Sequence, residues 1–194
     1  MAFVGCGTAK CGSTSLWHLL HDSGVDCKHE RHLIGYELPW QYDRDSIASK
    51  IKHLKSKRDE YGEIAFYFLP YIPKMMAEIP NLKVICLKRN LKDTVRSLLN
   101  TILENPWAWD VRRGWNKCYP RMTDDVNACA HEWWRTYYEI AETYERLFPN
   151  FKIFDIDSLN SRKGQEAIFD FLDIENRVYK DDCHYNKSNY EQTK

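Results

Sequence analysis

The stretch "GCGTAKCGSTSLW", residues 5 to 17, gathers Lys10, Gly12, Ser13, Thr14 and Ser15 where an apolar run gives way to a helical stripe, and the first twenty residues contain no Asp or Glu. Amide N–H groups at a helix start, hydroxyl donors and the helix dipole make an anion site that a phosphate or a sulfate fits. A nucleotide-binding loop of the G-x-x-x-x-G-K-[ST] type carries its lysine after the second glycine. Here Gly7 and Gly12 keep that separation, but Ser13 occupies the lysine position and Lys10 stands in the middle of the loop. The apolar run "VICL" is followed by Lys88 and Arg89, with no acid there to hold magnesium. Both halves of an NTPase site are missing. Taken alone, the loop also reads as an ordinary glycine-rich strand-to-helix turn.

Lys83, Lys88, Arg89, Lys92 and Arg96 form a second cluster, set against a single acid, Asp93. A basic surface helix accounts for Lys92 and Arg96, but less easily for an arginine at the end of a core strand. Arg89 and Ser97, two turns along the following helix, can meet on one phosphate, the arginine as a forked donor and the serine as a neutral one. Two anion sites on neighbouring strand ends imply a ligand phosphorylated at both ends.

These residues need a scaffold, and composition says which kind. At 194 residues, 43% apolar and 14% aromatic, the chain suits one folded domain with a sizeable core. Its 28 basic and 28 acidic side chains cancel, which argues against general affinity for nucleic acid or anionic membrane. Seven cysteines without a C-x-x-C pair read as reduced thiols in a cytoplasmic chain, not as a disulfide framework or a zinc site. No signal peptide precedes the first apolar run, and no window reaches the roughly 20 apolar residues of a membrane span.

Strands alternate with helices along the chain. "AFVG" is a strand running into the loop, and Leu16, Leu19 and Leu20 give a helix that stops at Gly24. "GVDC" is a second strand, Ile47, Ile51 and Leu54 mark a helix with a solvated lysine face, and "EIAFYFL" is a third strand closed by Pro70. "PKMMAEIP" is a short helix, "KVICL" a fourth strand, and Asn90 caps a helix with Val95, Leu98, Leu99 and Ile102 on its apolar face. Residues 105 to 123 are irregular. A long helix from about Asp125 to Leu147, the strand "FKIFDI" and the helix "QEAIFDFL" follow. The expected fold is therefore α/β, a P-loop-like parallel β-sheet flanked by helices in a single domain, with ligands at the carboxyl ends of the strands. Residues 1 to 175 are expected to form that domain and residues 176 to 194 a polar closing segment or tail.

"TAKCGSTSLW" followed by "VICLKRNLKDTVRSLL" resembles the sulfotransferase family, whose members share a loop of the K-x-G-[ST]-T type and a later R-N-P-x-D-x-x-x-S segment. The resemblance implies the donor 3′-phosphoadenosine 5′-phosphosulfate (PAPS), with adenosine 3′,5′-bisphosphate (PAP) as product. It also implies that Lys10, Cys11, Gly12, Ser13, Thr14 and Ser15 hold the 5′-phosphosulfate, and Arg89 and Ser97 the 3′-phosphate. Leu91 stands where the family has proline, a small departure because proline there only presets a helix start. The chain is short for the family. Sulfuryl transfer needs in-line positioning, charge stabilisation on the leaving oxygen and a base for the acceptor hydroxyl. Lys10 is the stabiliser, and a sulfuryl group carries too little charge to require a metal, so none is expected.

The family offers two places for the base. The aryl and steroid branch carries a histidine after its third strand, where this chain has Phe68 in "FYFLP". The carbohydrate branch places a glutamate just after the second strand, and "VDCKHERH" supplies His29 and Glu30 there, although a lysine common on that branch's third strand is replaced near Ile64. Glu30 is the expected base and His29 the runner-up. If the strand geometry continues that far, adjacent residues point to opposite sides and only one of the two reaches the transferred group. His29 and His32 also read as a surface histidine pair. In "NPWAWDVRRGWNKCYPR", Trp107, Trp109 and Trp115 with Arg112, Arg113 and Lys117 suit stacking on sugar rings or an anionic aromatic acceptor, and equally a loop whose tryptophans fill the core. "HYNKSN" resembles the segment that closes over the donor in this family, which makes Lys187 a candidate. The expected activity is sulfuryl transfer to a hydroxyl or amine of a carbohydrate-like or small-metabolite acceptor. A P-loop nucleotide kinase and a non-catalytic PAPS/PAP-binding module are the alternatives.

Overall fold

An unbroken buried run, Val84, Ile85, Cys86 and Leu87, marks β4 (Lys83–Lys88) as a strand covered on both faces, the usual condition of a parallel sheet. The computed structural model describes residues 2–30, 44–57, 60–104 and 125–183. Its elements run β1 (Ala2–Gly7), α1 (Ser13–Asp22), β2 (Asp26–His29), α2 (Arg44–Ser56), β3 (Tyr61–Ile64), a 3₁₀ helix (Phe66–Tyr71), α3 (Ile72–Glu78), β4, α4 (Leu91–Glu104), α5 (Val126–Leu147), β5 (Phe151–Asp155), a second 3₁₀ helix (Ile156–Asn160) and α6 (Arg162–Phe171). All five strands are parallel, in the order β2-β3-β1-β4-β5. From the central β1 the chain crosses to the sheet edge at β2, returns through β3, and then passes to the other side of β1 as β4. The loop after β1 therefore opens where the winding reverses, the place where such sheets bind ligands.

Alternation along the strands sorts the core into two layers. Val4, Cys6, Val84 and Cys86 pack with Ile47, Ile51 and Leu54 of α2, Met75 of α3, Val95 and Leu98 of α4 and Tyr137, Tyr138 and Ala141 of α5. Phe3, Ile85 and Leu87 pack on the opposite face with Leu16, Leu19 and Leu20 of α1 and Ile168 and Phe169 of α6. The apolar stripes read from spacing face the core, fully buried except at Leu99 and Ile102, which are partly buried against it. The cap read at Asn90 holds, its Oδ1 accepting from the Asp93 amide at 2.9 Å, and the structure adds a cap at Asp125, whose Oδ1 accepts from the Ala128 amide at 2.9 Å. After α6 the chain returns over the first helix, where Val178 N donates to Ser23 Oγ at 3.0 Å and Lys180 pairs with Asp22 at 2.6 Å.

Three strand boundaries differ from the sequence reading. β2 runs Asp26–His29, two residues later than the "GVDC" stretch, because its residues pair with β3 from Asp26↔Tyr61 to His29↔Ile64. β1 extends two residues further, to Gly7, because it pairs with β4 through Cys6↔Cys86 and Gly7↔Leu87. The third strand stops at Ile64, and Phe66–Tyr71 is a 3₁₀ helix with Phe66, Tyr67, Phe68 and Leu69 all buried. Ala65 N donates to Gly5 O at 2.9 Å as a last ladder bond, after which the Phe68 amide turns back to Ala65 O at 3.3 Å. An unbroken apolar run has no period to separate strand from helix, and burial alone satisfies either. All six described cysteines are free thiols, and among the described residues no helix is long and apolar enough to cross a membrane.

Candidate functional site

The loop after β1 is shaped by close approach. Gly7 has φ 139°, and a Cβ there would lie 2.4 Å from Cys11 Sγ and 2.5 Å from the Leu87 carbonyl oxygen. No side chain fits. Cys11 is fully buried beneath it and its amide donates to Thr8 O at 3.3 Å, so it closes the turn from inside. Burial, and secondarily Cys6, pushes its thiol well above the ordinary 9.0, which marks an inert packing group. Gly12, at φ 97°, begins α1 without a side-chain cap, its carbonyl accepting from Leu16 N at 3.0 Å. Ser13 and Thr14 are half-buried and Ser15 is buried.

Lys10 rises from this loop in the left-handed region, at φ 68°. That conformation costs an L-residue roughly 1 to 2 kcal/mol, so it is imposed by the loop rather than chosen by the lysine. Burial lowers the Lys10 ammonium below its ordinary 10.5; Glu104 opposes this, Arg89 adds to it and Glu30 again opposes. Charges from three other segments therefore converge on the lysine. Arg89 is the most direct of them. At the end of β4, its Nη1 donates to the Lys10 carbonyl at 3.2 Å, while its own carbonyl accepts from Trp134 Nε1 at 3.0 Å. Among the described residues neither Lys10 nor Arg89 has a carboxylate in ion-pair contact. Ser97 is half-buried on α4, seven residues into the helix, and shares a face with Glu104 one heptad on.

His29 ends β2, and its Nε2 shares a hydrogen bond with Ser13 Oγ at 2.9 Å. Burial, then His18, lowers the imidazole below 6.5 and favours its neutral form. Glu30 follows at φ 49°, its amide donating to Ile64 O at 2.8 Å. The strand alternation stops between the two residues, so the condition on which they were expected to point apart is not met. His29 reaches the loop through Ser13, and Glu30 and Lys10 act on each other through their charges. Burial raises the Glu30 carboxyl above 4.5, with Lys10 pulling it back. Lys10 and Glu30 are two of the three described non-glycine residues with positive φ.

Two tyrosines hold the loop's entrance. Tyr137 OH accepts from Gly7 N at 2.9 Å and donates to Phe66 O at 2.9 Å. Tyr138 OH donates to Leu87 O at 2.8 Å and lies 3.1 Å from Thr8 Oγ1 and 3.4 Å from Thr8 N.

No family model matches this sequence, and no curated protein matches it. Solved structures do match. A sulfotransferase from Alicyclobacillus acidocaldarius superposes with a TM-score of 0.57 at 15% identity, over 96% of this chain and 85% of that one. The chain has the sulfotransferase fold. Mouse sulfotransferase SULT7A1, solved with PAP, gives 0.56 at 17% identity over 98% of this chain and 62% of that one. The sulfotransferase domain from the curacin biosynthetic pathway gives 0.53 at 14% identity over 97% and 80%. This chain therefore spans less than two thirds of the mouse enzyme.

Within that sulfotransferase fold, β1, β2 and β4 deliver Lys10, His29, Glu30 and Arg89 to one end of the sheet. Glu104, Tyr137 and Tyr138 are absent from the sequence reading. The tyrosines bond to residues 130 positions away in the case of Gly7 and Thr8, so no local spacing reveals them. Their signal was the "WWRTYY" run, polar-tipped aromatics on a helix that must bury one face. His32, Lys187, and the Trp107, Trp109, Trp115, Arg112, Arg113 and Lys117 group lie outside the described residues.

Proposed function

We propose that this chain is a member of the sulfotransferase family that transfers the sulfuryl group of PAPS, without a metal, to a hydroxyl or amine of a small-metabolite or carbohydrate-like acceptor, and that it works in the cytoplasm, where its thiols stay reduced. The carrying observation is the 3.2 Å bond from Arg89 to the Lys10 carbonyl, which ties two cations from different strand ends into one site. That pairing suits a ligand with an anionic group at each end.

The donor supplies a sulfuryl group on a good leaving phosphate. Lys10 meets the charge that develops on the leaving oxygen, and the start of α1 with Ser13, Thr14 and Ser15 cradles the 5′ end. Arg89 forks onto the 3′-phosphate, with Ser97 as its neutral companion. Glu30 takes the proton from the acceptor; its carboxyl, raised by burial, is a stronger base than an exposed glutamate. His29 is already engaged with Ser13 through Nε2, which favours Glu30 over it for that role and supports the carbohydrate-type arrangement. Titration with PAP, with and without magnesium and with ATP in parallel, tests the reading. Tight, magnesium-independent PAP binding is expected. Preference for Mg-ATP would overturn it in favour of a kinase, and PAP binding without PAPS turnover on a broad acceptor panel would leave a binding module.

A further inference from the structure

We infer that Tyr138 is a positioning residue that locks the loop carrying Lys10 to the strand carrying Arg89, so that the two anion sites are set at a fixed separation; this rests on the donor reading above. Tyr138 OH donates to Leu87 O, which uses its only proton. The Thr8 hydroxyl must therefore donate to Tyr138, and the Thr8 amide points at the same oxygen. One hydroxyl thus joins the first residue of the loop to the strand residue two before Arg89. Thr8 and Tyr138 are both buried, so water is no substitute partner.

The neighbours on α5 reinforce the same junction. Residues 134, 137 and 138 share one helix face. Trp134 Nε1 holds the Arg89 carbonyl, and Tyr137 OH bridges Gly7 N to Phe66 O. One face of α5 therefore fixes the ends of β1 and β4 and the chain just after β3. Gly7 has no room for a side chain against the Leu87 backbone, and its amide is held by Tyr137 OH.

Binding of PAP and of adenosine 5′-monophosphate to wild type, Tyr138→Phe and Thr8→Val tests this. Thr8→Val keeps the shape and the Tyr138 to Leu87 bond, so it reports on the bridge even if Tyr138→Phe fails to fold. PAP must satisfy both sites at once, whereas the monophosphate needs only the loop. Both variants are expected to lose about 3- to 10-fold in PAP affinity with a smaller loss for the monophosphate, so the ratio of the two affinities shrinks. Thr8→Ser, which restores the donor, is expected to recover the ratio. A merely structural role lowers the melting temperature and leaves the ratio at its wild-type value, which would overturn the inference. Failure of wild type to bind PAP would instead overturn the donor reading and this inference with it.

Discussion

The His29 imidazole and the Ser13 hydroxyl are hydrogen-bonded at 2.9 Å, which ties the end of β2 to the first residue of α1. In the proposed function, a histidine so placed orients the donor cradle. His29→Asn is expected to raise the donor KM about 2- to 10-fold, the worth of one net hydrogen bond, with kcat changed less. Its depressed pKa also sets a pH dependence: the unfolded chain takes up a proton below 6.5 where the folded chain resists, so stability falls as pH drops from 6.5 toward the lower folded value. Urea unfolding at stepped pH should show that decline in wild type and a shallower one in His29→Asn. A dominant loss of kcat would instead transfer the base role to His29.

Glu30→Gln keeps the side-chain shape and removes the base. Turnover is expected to fall by roughly 10² to 10⁴ while PAP affinity stays near wild type. The carboxyl must be ionised to accept a proton, so the acid limb of kcat should lie above 4.5, in the direction burial moves it. Stability runs the other way. The folded chain holds this proton more tightly, so the contribution is complete below 4.5 and is lost as pH rises through the folded pKa. Mild effects on both kcat and the acid limb would place the acceptor elsewhere.

Lys50 of α2 and Glu63 of β3 form a buried ion pair, both 1% exposed, and Tyr61 OH donates to the other Glu63 oxygen at 3.0 Å. Lys50→Met strands a buried carboxylate and should cost about 3 to 5 kcal/mol, measured by urea unfolding. Adding Glu63→Gln should recover part of that loss. A single-variant cost below about 1 kcal/mol would show that the pair is solvated in solution.

The fold was legible wherever the chain carries a period or a punctuation mark. Leu16, Leu19 and Leu20 before Gly24, and Asn90 before Val95 and Leu98, name their helices and their buried faces. Lys10 and Arg89 stand out in the sequence as candidates because few structural roles suit a lysine amid glycines or an arginine ending an apolar strand, and the 3.2 Å bond between them joins the two segments. The run from Ala65 to Leu69 was not, since it offers no period. Nor was the turn of Glu30 into the left-handed region, which is set by its amide bond to Ile64 on the neighbouring strand. The tyrosines belong to the site through bonds from α5 to distant strand ends and Glu104 through its charge on Lys10, neither of which spacing encodes.

Lys10→Ala should lower turnover more than donor affinity, because the lysine's role grows with charge on the leaving oxygen. The ammonium form is required, so activity should fall at high pH with a limb below the ordinary 10.5, the direction in which burial moves this group. Stability moves in the same sense as for His29: the unfolded chain holds the proton more tightly, so stability is complete above 10.5 and declines as pH falls toward the lower folded value. A raised donor KM at constant kcat would contradict the catalytic role.

Arg89 has two duties, and one substitution separates them. Its Nη1 bond to the Lys10 carbonyl shapes the loop, while the remaining donors of its fork are proposed to face the 3′-phosphate. Loss of the first duty weakens any ligand of the loop; loss of the second weakens only a ligand with a 3′-phosphate. Arg89→Ala is therefore expected to lower PAP affinity by about 10- to 150-fold, the 1.5 to 3 kcal/mol of a charge-assisted hydrogen bond, and that of adenosine 5′-phosphosulfate by no more than a few-fold. Arg89→Lys keeps the charge but loses the planar fork, and should fall between the two. Both ligands are titrated against each variant. Equal losses for the two ligands would assign Arg89 to loop architecture alone and leave the 3′-phosphate without its proposed partner.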